Sequence, residues 1–155
     1  MKRSVSPVPI LAALTTAPSA QAAKRLVRTL VERRLIACGT VLPGAVSTYW
    51  WQGAVAEEEE VVVVMKTTAE RWAELAATLP ELHPYEVPEL IALPVADGYP
   101  PYLEWVRTET AGQRGRAARA PARKRGGTRR GAGSSGQRIG SVVSGSAPVR
   151  RGRKE

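Results

Sequence analysis

The chain holds one cysteine, Cys38, and one histidine, His83, in 155 residues. A lone cysteine forms no disulfide within the chain, and one cysteine with one histidine cannot complete a Cys₄ or Cys₂His₂ zinc site. The scarcity fits a reducing compartment, and we expect a cytoplasmic protein. No apolar run approaches the roughly 18 residues of a membrane-spanning helix, so no membrane partner is expected. Residues 112–155 lack aromatic side chains altogether and nearly lack acid: they carry 13 Lys and Arg against one Glu. Ile139, Val142, Val143 and Val149 are the only large aliphatics there. Such a segment buries too little apolar surface to offset its chain entropy, and we expect a disordered Arg/Gly-rich tail.

What is present is concentrated earlier. Residues 1–111 hold all the aromatic residues, with 10 Lys and Arg and 13 Asp and Glu. The overall charge of +9 therefore comes from the tail. This division suggests a flexible start over 1–9, one domain over 10–111 and the tail over 112–155. Lys2, Arg3, the apolar run 8–14 and Ala20-Gln21-Ala22 imitate an export signal. Pro7 and Pro9 interrupt that run, and the same residues are needed for the first strand, so the N-terminus is expected to stay.

Residues 10–16 read as a buried strand. Ser19 is a helix N-cap, and Ala23, Leu26, Val27, Leu30 and Val31 recur at helical spacing as far as about Leu35. Residues 37–51 read as a long strand kinked at Pro43-Gly44. Gln52-Gly53 makes a turn. Residues 57–60, four glutamates, read as a solvated hairpin segment, because adjacent carboxylates on an extended chain point alternately to opposite sides. Four valines, 61–64, suit a strand covered on both faces. Thr67 or Thr68 starts a second helix with Trp72, Leu75, Ala76, Leu79 and Leu82 inward, and Pro80 should kink its end. Residues 87–95 read as a last strand. Pro100-Pro101 opens a short helix that ends near Thr110.

The order is β-α-β-β-α-β plus a final helix, which is an α+β ferredoxin-like sandwich. Two helices cover only one face of four strands. Tyr49, Trp50, Trp51, Val62 and Val64 then leave apolar surface for an oligomer interface.

His83-Pro84-Tyr85-Glu86-Val87-Pro88-Glu89 gathers an imidazole, a phenol and two carboxylates on a stiff extended connection. His83 either caps the preceding helix or serves as a metal ligand, with Glu86 and Glu89 as oxygen donors. Cys38 is either a small buried residue or a ligand.

Several separated segments together resemble the divalent-cation tolerance protein CutA family over about residues 10–110. They are Thr15-Thr16-Ala17-Pro18-Ser19, Leu35-Ile36-Ala37-Cys38, Leu42-Pro43-Gly44, Tyr49-Trp50-Trp51-Gln52-Gly53, Met65-Lys66-Thr67-Thr68, the His83 segment, and Tyr102-Leu103-Glu104-Trp105-Val106. The resemblance implies a homotrimer of ferredoxin-like subunits whose hairpins pair between subunits, here through 49–53 and 61–65. It also implies tolerance of, or response to, divalent ions, with copper or another divalent cation as ligand. Some members offer a cysteine before the Thr-Ala-Pro turn and a His-His pair before Pro-Tyr. This chain has Thr15 and Leu82-His83 instead, so only His83 carries over.

Three functions follow from these readings. One is a non-enzymatic trimer that binds or responds to metal. Another is a trimeric scaffold or small-molecule signalling module with incidental metal binding. The last is non-specific nucleic-acid association through tail residues such as Arg123, Lys124, Arg125, Arg129 and Arg130. No Ser-His-Asp set and no phosphate-cradling glycine loop is present, so no enzyme is expected.

Overall fold

The computed structural model describes residues 6–112. The tail residues Arg123, Lys124, Arg125, Arg129 and Arg130 lie outside the described residues, as do residues 1–5. The chain runs β1 (Ile10–Ala17), α1 (Ala20–Glu32), β2 (Cys38–Trp51), β3 (Ala54–Thr68), α2 (Ala69–Leu82), β4 (Ile91–Pro94) and α3 (Pro100–Thr110). The strands form one antiparallel sheet in the order β2-β3-β1-β4. That order with β-α-β-β-α-β connectivity is the ferredoxin-like sandwich.

Ser19 Oγ accepts from the Ala22 N–H at 3.2 Å and starts α1, as its spacing predicts. The helix stops at Glu32, short of the expected Leu35. Arg34 turns left-handed at φ 60. The Leu35 N–H then donates to the Leu30 carbonyl at 3.0 Å, and the Arg34 N–H to the Val31 carbonyl at 2.9 Å. This bond pair closes a Schellman motif, with an arginine where glycine is usual.

One sheet face presents Ala13, Ala17, Val61, Val63 and Met65 to Leu26, Leu30, Leu75 and Leu79 of the two long helices, and all nine are buried. The fit is close at Gly39, where a Cβ would lie 2.8 Å from Val27 Cγ1 of α1. Any side chain there would push the helix off β2. Pro80 lies inside α2, which continues as one helix to Leu82.

The β2–β3 hairpin turns on Gln52 and Gly53, both at positive φ (50° and 81°). A two-residue turn of that kind matches the strand twist. Register shifts between Leu42 and Ala45, where Pro43 and Gly44 together oppose Val61. This is the bulge expected at that dipeptide. β1 pairs with β3 only from Val61 to Thr68. Residues 54–60 therefore have β2 as their sole ladder neighbour, and the hairpin projects about 20 Å beyond the sheet.

Three expectations need correction. Residues 61–65 cannot pair with another subunit's strand, because β3 is an inner strand. Val62 already faces Thr16 and Leu42, and Val64 faces Leu14 and Thr40. Their side chains remain half-buried on the second face. The last strand is Ile91–Pro94, not 87–95. Pro88 brings no N–H to a ladder, and the preceding residues are held by side-chain bonds instead. Finally, the four glutamates are not all solvated: Glu60 is only 3 % exposed.

The second face is covered at one end by α3, where Val106 is buried with Ile10 and Ala37 and packs beside Leu103 and Val95. Toward the middle it stays open. Leu42, Ile91 and Leu93 are each about half exposed, and Val62, Val64, Ala12 and Leu14 are half-buried.

Candidate metal and assembly site

α2 ends at Leu82 because Pro84 disfavours a helical residue before it. His83 is the C-cap residue and is 2 % exposed. Its Nε2 lies 2.8 Å from the Thr16 carbonyl, which can only accept, so Nε2 carries the proton. Nδ1 accepts from the Tyr85 N–H at 3.0 Å. Both ring nitrogens are thus engaged within the chain. The rings of His83 and Tyr85 sit 5.0 Å apart. The Tyr85 hydroxyl, fully buried, donates to the Glu60 carboxylate at 3.1 Å. His83, Tyr85 and Glu60 form a polar strut that fastens the 83–90 connection to β1 and to the root of the hairpin. Thr16 Oγ1 lies buried beside this strut without a hydrogen-bond partner.

The other expected ligands lie elsewhere. Cys38 opens β2, is half-buried, and has Sγ 3.4 Å from the Tyr102 hydroxyl. Burial pushes the Tyr102 phenol up to about 12, helped by its hydrogen bond to Cys38 and by its electrostatic interaction with that residue. Cys38 stands level with Lys66, whereas His83 holds Thr16, which stands level with Val62. Four residues along β3 put these levels about 13 Å apart, far beyond one coordination shell. Glu86 is exposed and Glu89 half-buried. Among the described residues, no group of three or more His, Cys, Asp or Glu side chains is placed to hold a metal ion. His83, Cys38, Glu86 and Glu89 therefore do not fit a metal site within one chain. His83 is withdrawn by its own hydrogen bonds, and Cys38 by its distance.

Of the residues expected at an interface, Trp50 is 74 % exposed, while Tyr49 and Trp51 are half-buried on the other side of the hairpin. Tyr49 donates to Glu58 at 3.3 Å. Sequence reasoning missed Glu60 and the structural part of Tyr85. The alternation of Val61, Val63 and Met65 toward the helices sends Glu60 to the opposite face, but no local signal says that it is buried there.

Fold and site together define a ferredoxin-like sandwich with a projecting hairpin locked at its root by a buried imidazole–phenol–carboxylate strut. The chain belongs to the CutA1 divalent ion tolerance protein family, whose pattern it matches over residues 11–109. It is 44 % identical over 97 residues to the divalent-cation tolerance protein CutA of Thermus thermophilus, which covers 63 % of this chain and 94 % of that one. It is 42 % identical to the mouse protein CutA over 104 residues, covering 67 % of this chain and 59 % of the mouse protein. The crystal structure of CutA from Xylella fastidiosa superposes with a TM-score of 0.64 at 42 % identity, covering 66 % of this chain and 98 % of that one.

Proposed function

We propose that this chain works as a non-enzymatic cytoplasmic homotrimer in tolerance of, or response to, divalent cations. The observation that carries the assembly is the half-covered sheet with its projecting hairpin. A two-stranded ribbon has too little core to stand alone in water. The hairpin and the open second face are different patches, so a contact between them is heterologous, and it closes into a ring of three where the rotation between subunits is a third of a turn. The non-enzymatic reading is supported by His83 and Glu60: both are almost fully buried and bonded inward, away from any substrate.

Copper or another divalent cation then engages the trimer weakly, through exposed carboxylates such as Glu86. The second reading, a trimeric scaffold or small-molecule signalling module with incidental metal binding, is favoured by the engagement of both His83 nitrogens. Light scattering on the full chain tests the assembly: three chain masses at micromolar concentration are expected, and a stable monomer overturns it. Copper titration separates the two readings: binding that saturates at a fixed ratio per trimer and is lost in Glu86→Ala supports the metal reading, and uptake that does not saturate supports the second. His83→Ala should lower the melting temperature and leave the isotherm unchanged; loss of binding there would overturn the carboxylate assignment and place the metal at the imidazole.

A further inference from the structure

The hairpin meets the sheet at a joint built differently on its two strands. On β2 the joint is the bulge: Pro43 and Gly44 together oppose Val61, and Gly44 stands at φ 85. Pro43 brings no N–H to the ladder there. A Cβ on Gly44 would meet nothing within 4 Å, so the glycine serves the backbone angle and not close packing. On β3 the joint falls between Val61, which still pairs with Ala17 of β1, and Glu60, which lies past the end of β1. Glu60 pairs across with Ala45, the first β2 residue beyond the bulge. Its carboxylate is held at 3.1 Å by the Tyr85 hydroxyl, and both residues are buried. Tyr85 is itself tied to the body of the sheet. Its N–H donates to His83 Nδ1 at 3.0 Å, and His83 Nε2 donates to the Thr16 carbonyl at 2.8 Å. Thr16 stands opposite Val62, on the body side of the joint. This series of bonds therefore crosses from the sheet to the root of the projecting ribbon.

We propose that the Glu60–Tyr85 bond is a latch on this joint: it sets the angle at which the hairpin leaves the sheet, with Pro43-Gly44 as the hinge, and so presets the arm for a neighbouring subunit. The inference rests on the trimeric reading above and adds to it. A bulge lets a ribbon bend and twist without choosing the angle. A two-stranded ribbon has no core of its own to hold it. The angle is chosen by contacts that join ribbon to body. The Thr48–Glu57 and Tyr49–Glu58 side-chain bonds stay within the ribbon, whereas Glu60–Tyr85 leaves it. Binding weakens in proportion when the competent conformation is only fractionally populated. Releasing the latch therefore weakens assembly even if neither residue touches the neighbour, and Glu60 and Tyr85 act as positioning residues.

The test compares the full native chain with Tyr85→Phe, which removes the hydroxyl and keeps the ring, and with Glu60→Gln, which keeps an acceptor oxygen. Sedimentation velocity across a dilution series reads assembly, and hydrogen–deuterium exchange reads the amides of residues 45–58. In Tyr85→Phe the trimer should dissociate at about tenfold higher concentration and the arm amides should exchange about tenfold faster, the factor expected for one hydrogen bond to a charged group. Glu60→Gln should lie between Tyr85→Phe and the native protein on both readouts. Unchanged arm exchange in Tyr85→Phe, with only the slow amides of α1 and α2 quickened, would overturn the proposal, because the bond would then break only when the whole chain unfolds. So would a Tyr85→Phe trimer that dissociates at the native concentration. A native protein that is a monomer at every concentration removes the trimeric reading, and arm exchange then decides the latch by itself. Should Tyr85→Phe fail to fold, Glu60→Ala deletes the same bond from the other side and is read in the same way.

Discussion

His83 Nε2 donates to the Thr16 carbonyl across 2.8 Å, from the end of α2 to the second-last residue of β1. The bond joins positions 67 residues apart and fixes the tautomer of the only histidine in the chain. With Nε2 donating, Nδ1 is left as the acceptor that the Tyr85 N–H uses. A residue type that suggests metal or proton chemistry thus acts here as a structural fastener.

Removing that fastener should cost stability. His83→Ala deletes both ring hydrogen bonds, to the Thr16 carbonyl and from the Tyr85 N–H, in a region closed to solvent. A buried polar group that loses its partner costs about 1–3 kcal/mol, so urea unfolding should show a clearly lower midpoint than the native protein. An unchanged midpoint would show that the two bonds contribute nothing net to the fold.

Tyr85→Phe should destabilise without changing the fold. It removes the hydroxyl that donates to the buried Glu60 carboxylate at 3.1 Å. Hydrogen bonds to charged groups contribute about 1.5–3 kcal/mol, so a loss of about 2 kcal/mol is expected by chemical denaturation. Glu60→Gln keeps an acceptor oxygen for the phenol and should cost less. The reverse ranking would mean that Glu60 is held mainly by other neighbours.

Arg34 allows its two roles to be separated. It closes α1 at φ 60, and its guanidinium pairs with Glu109 at the end of α3. Arg34→Ala and Arg34→Gly both delete the ion pair. Only alanine keeps the cost of a left-handed backbone, so the glycine variant should be the more stable by about 1 kcal/mol. Equal stabilities in thermal or urea unfolding would show that α1 ends in another conformation when the arginine is gone.

Tyr102 should ionise late in an alkaline titration. Its phenol is pushed up to about 12 from an ordinary value of 10.0, chiefly by burial and then by Cys38. A raised value means that the folded state favours the neutral phenol. The resulting stability is complete below pH 10 and is lost as pH rises toward 12. Phenolate absorbance during an alkaline titration should show this late component, and Cys38→Ala should move it to lower pH. An unmoved component would leave burial as the whole cause.

Much of the architecture was legible because local chemistry and tertiary packing agree. Ser19 caps α1 where the spacing of its apolar stripe begins. Pro43-Gly44 makes the bulge, and Gln52-Gly53 the turn, because few other residues suit those backbone angles. The end of α1 was not legible, because the residue at φ 60 is an arginine with no glycine to announce it. The length of β4 was misjudged because Val87 precedes Pro88 and Leu90-Ile91 follow closely, and nothing local says that the bonds before the proline belong to side chains. Among four identical glutamates, only the pairing register makes Glu60 the buried one.

By itself, the sequence determined the element order, the ferredoxin-like sandwich, the kinked hairpin and the charge division at about residue 112. Each depends on periodicity, turn chemistry or composition, which act over a few residues. The tertiary structure alone decided what the chemically conspicuous residues do. His83 spends both nitrogens on Thr16 and Tyr85, Cys38 meets Tyr102, and the two stand about 13 Å apart along the sheet. Whether two side chains share a site depends on strand register and on which groups burial forces to find partners. Those are properties of the packed chain, and no short stretch of it carries them.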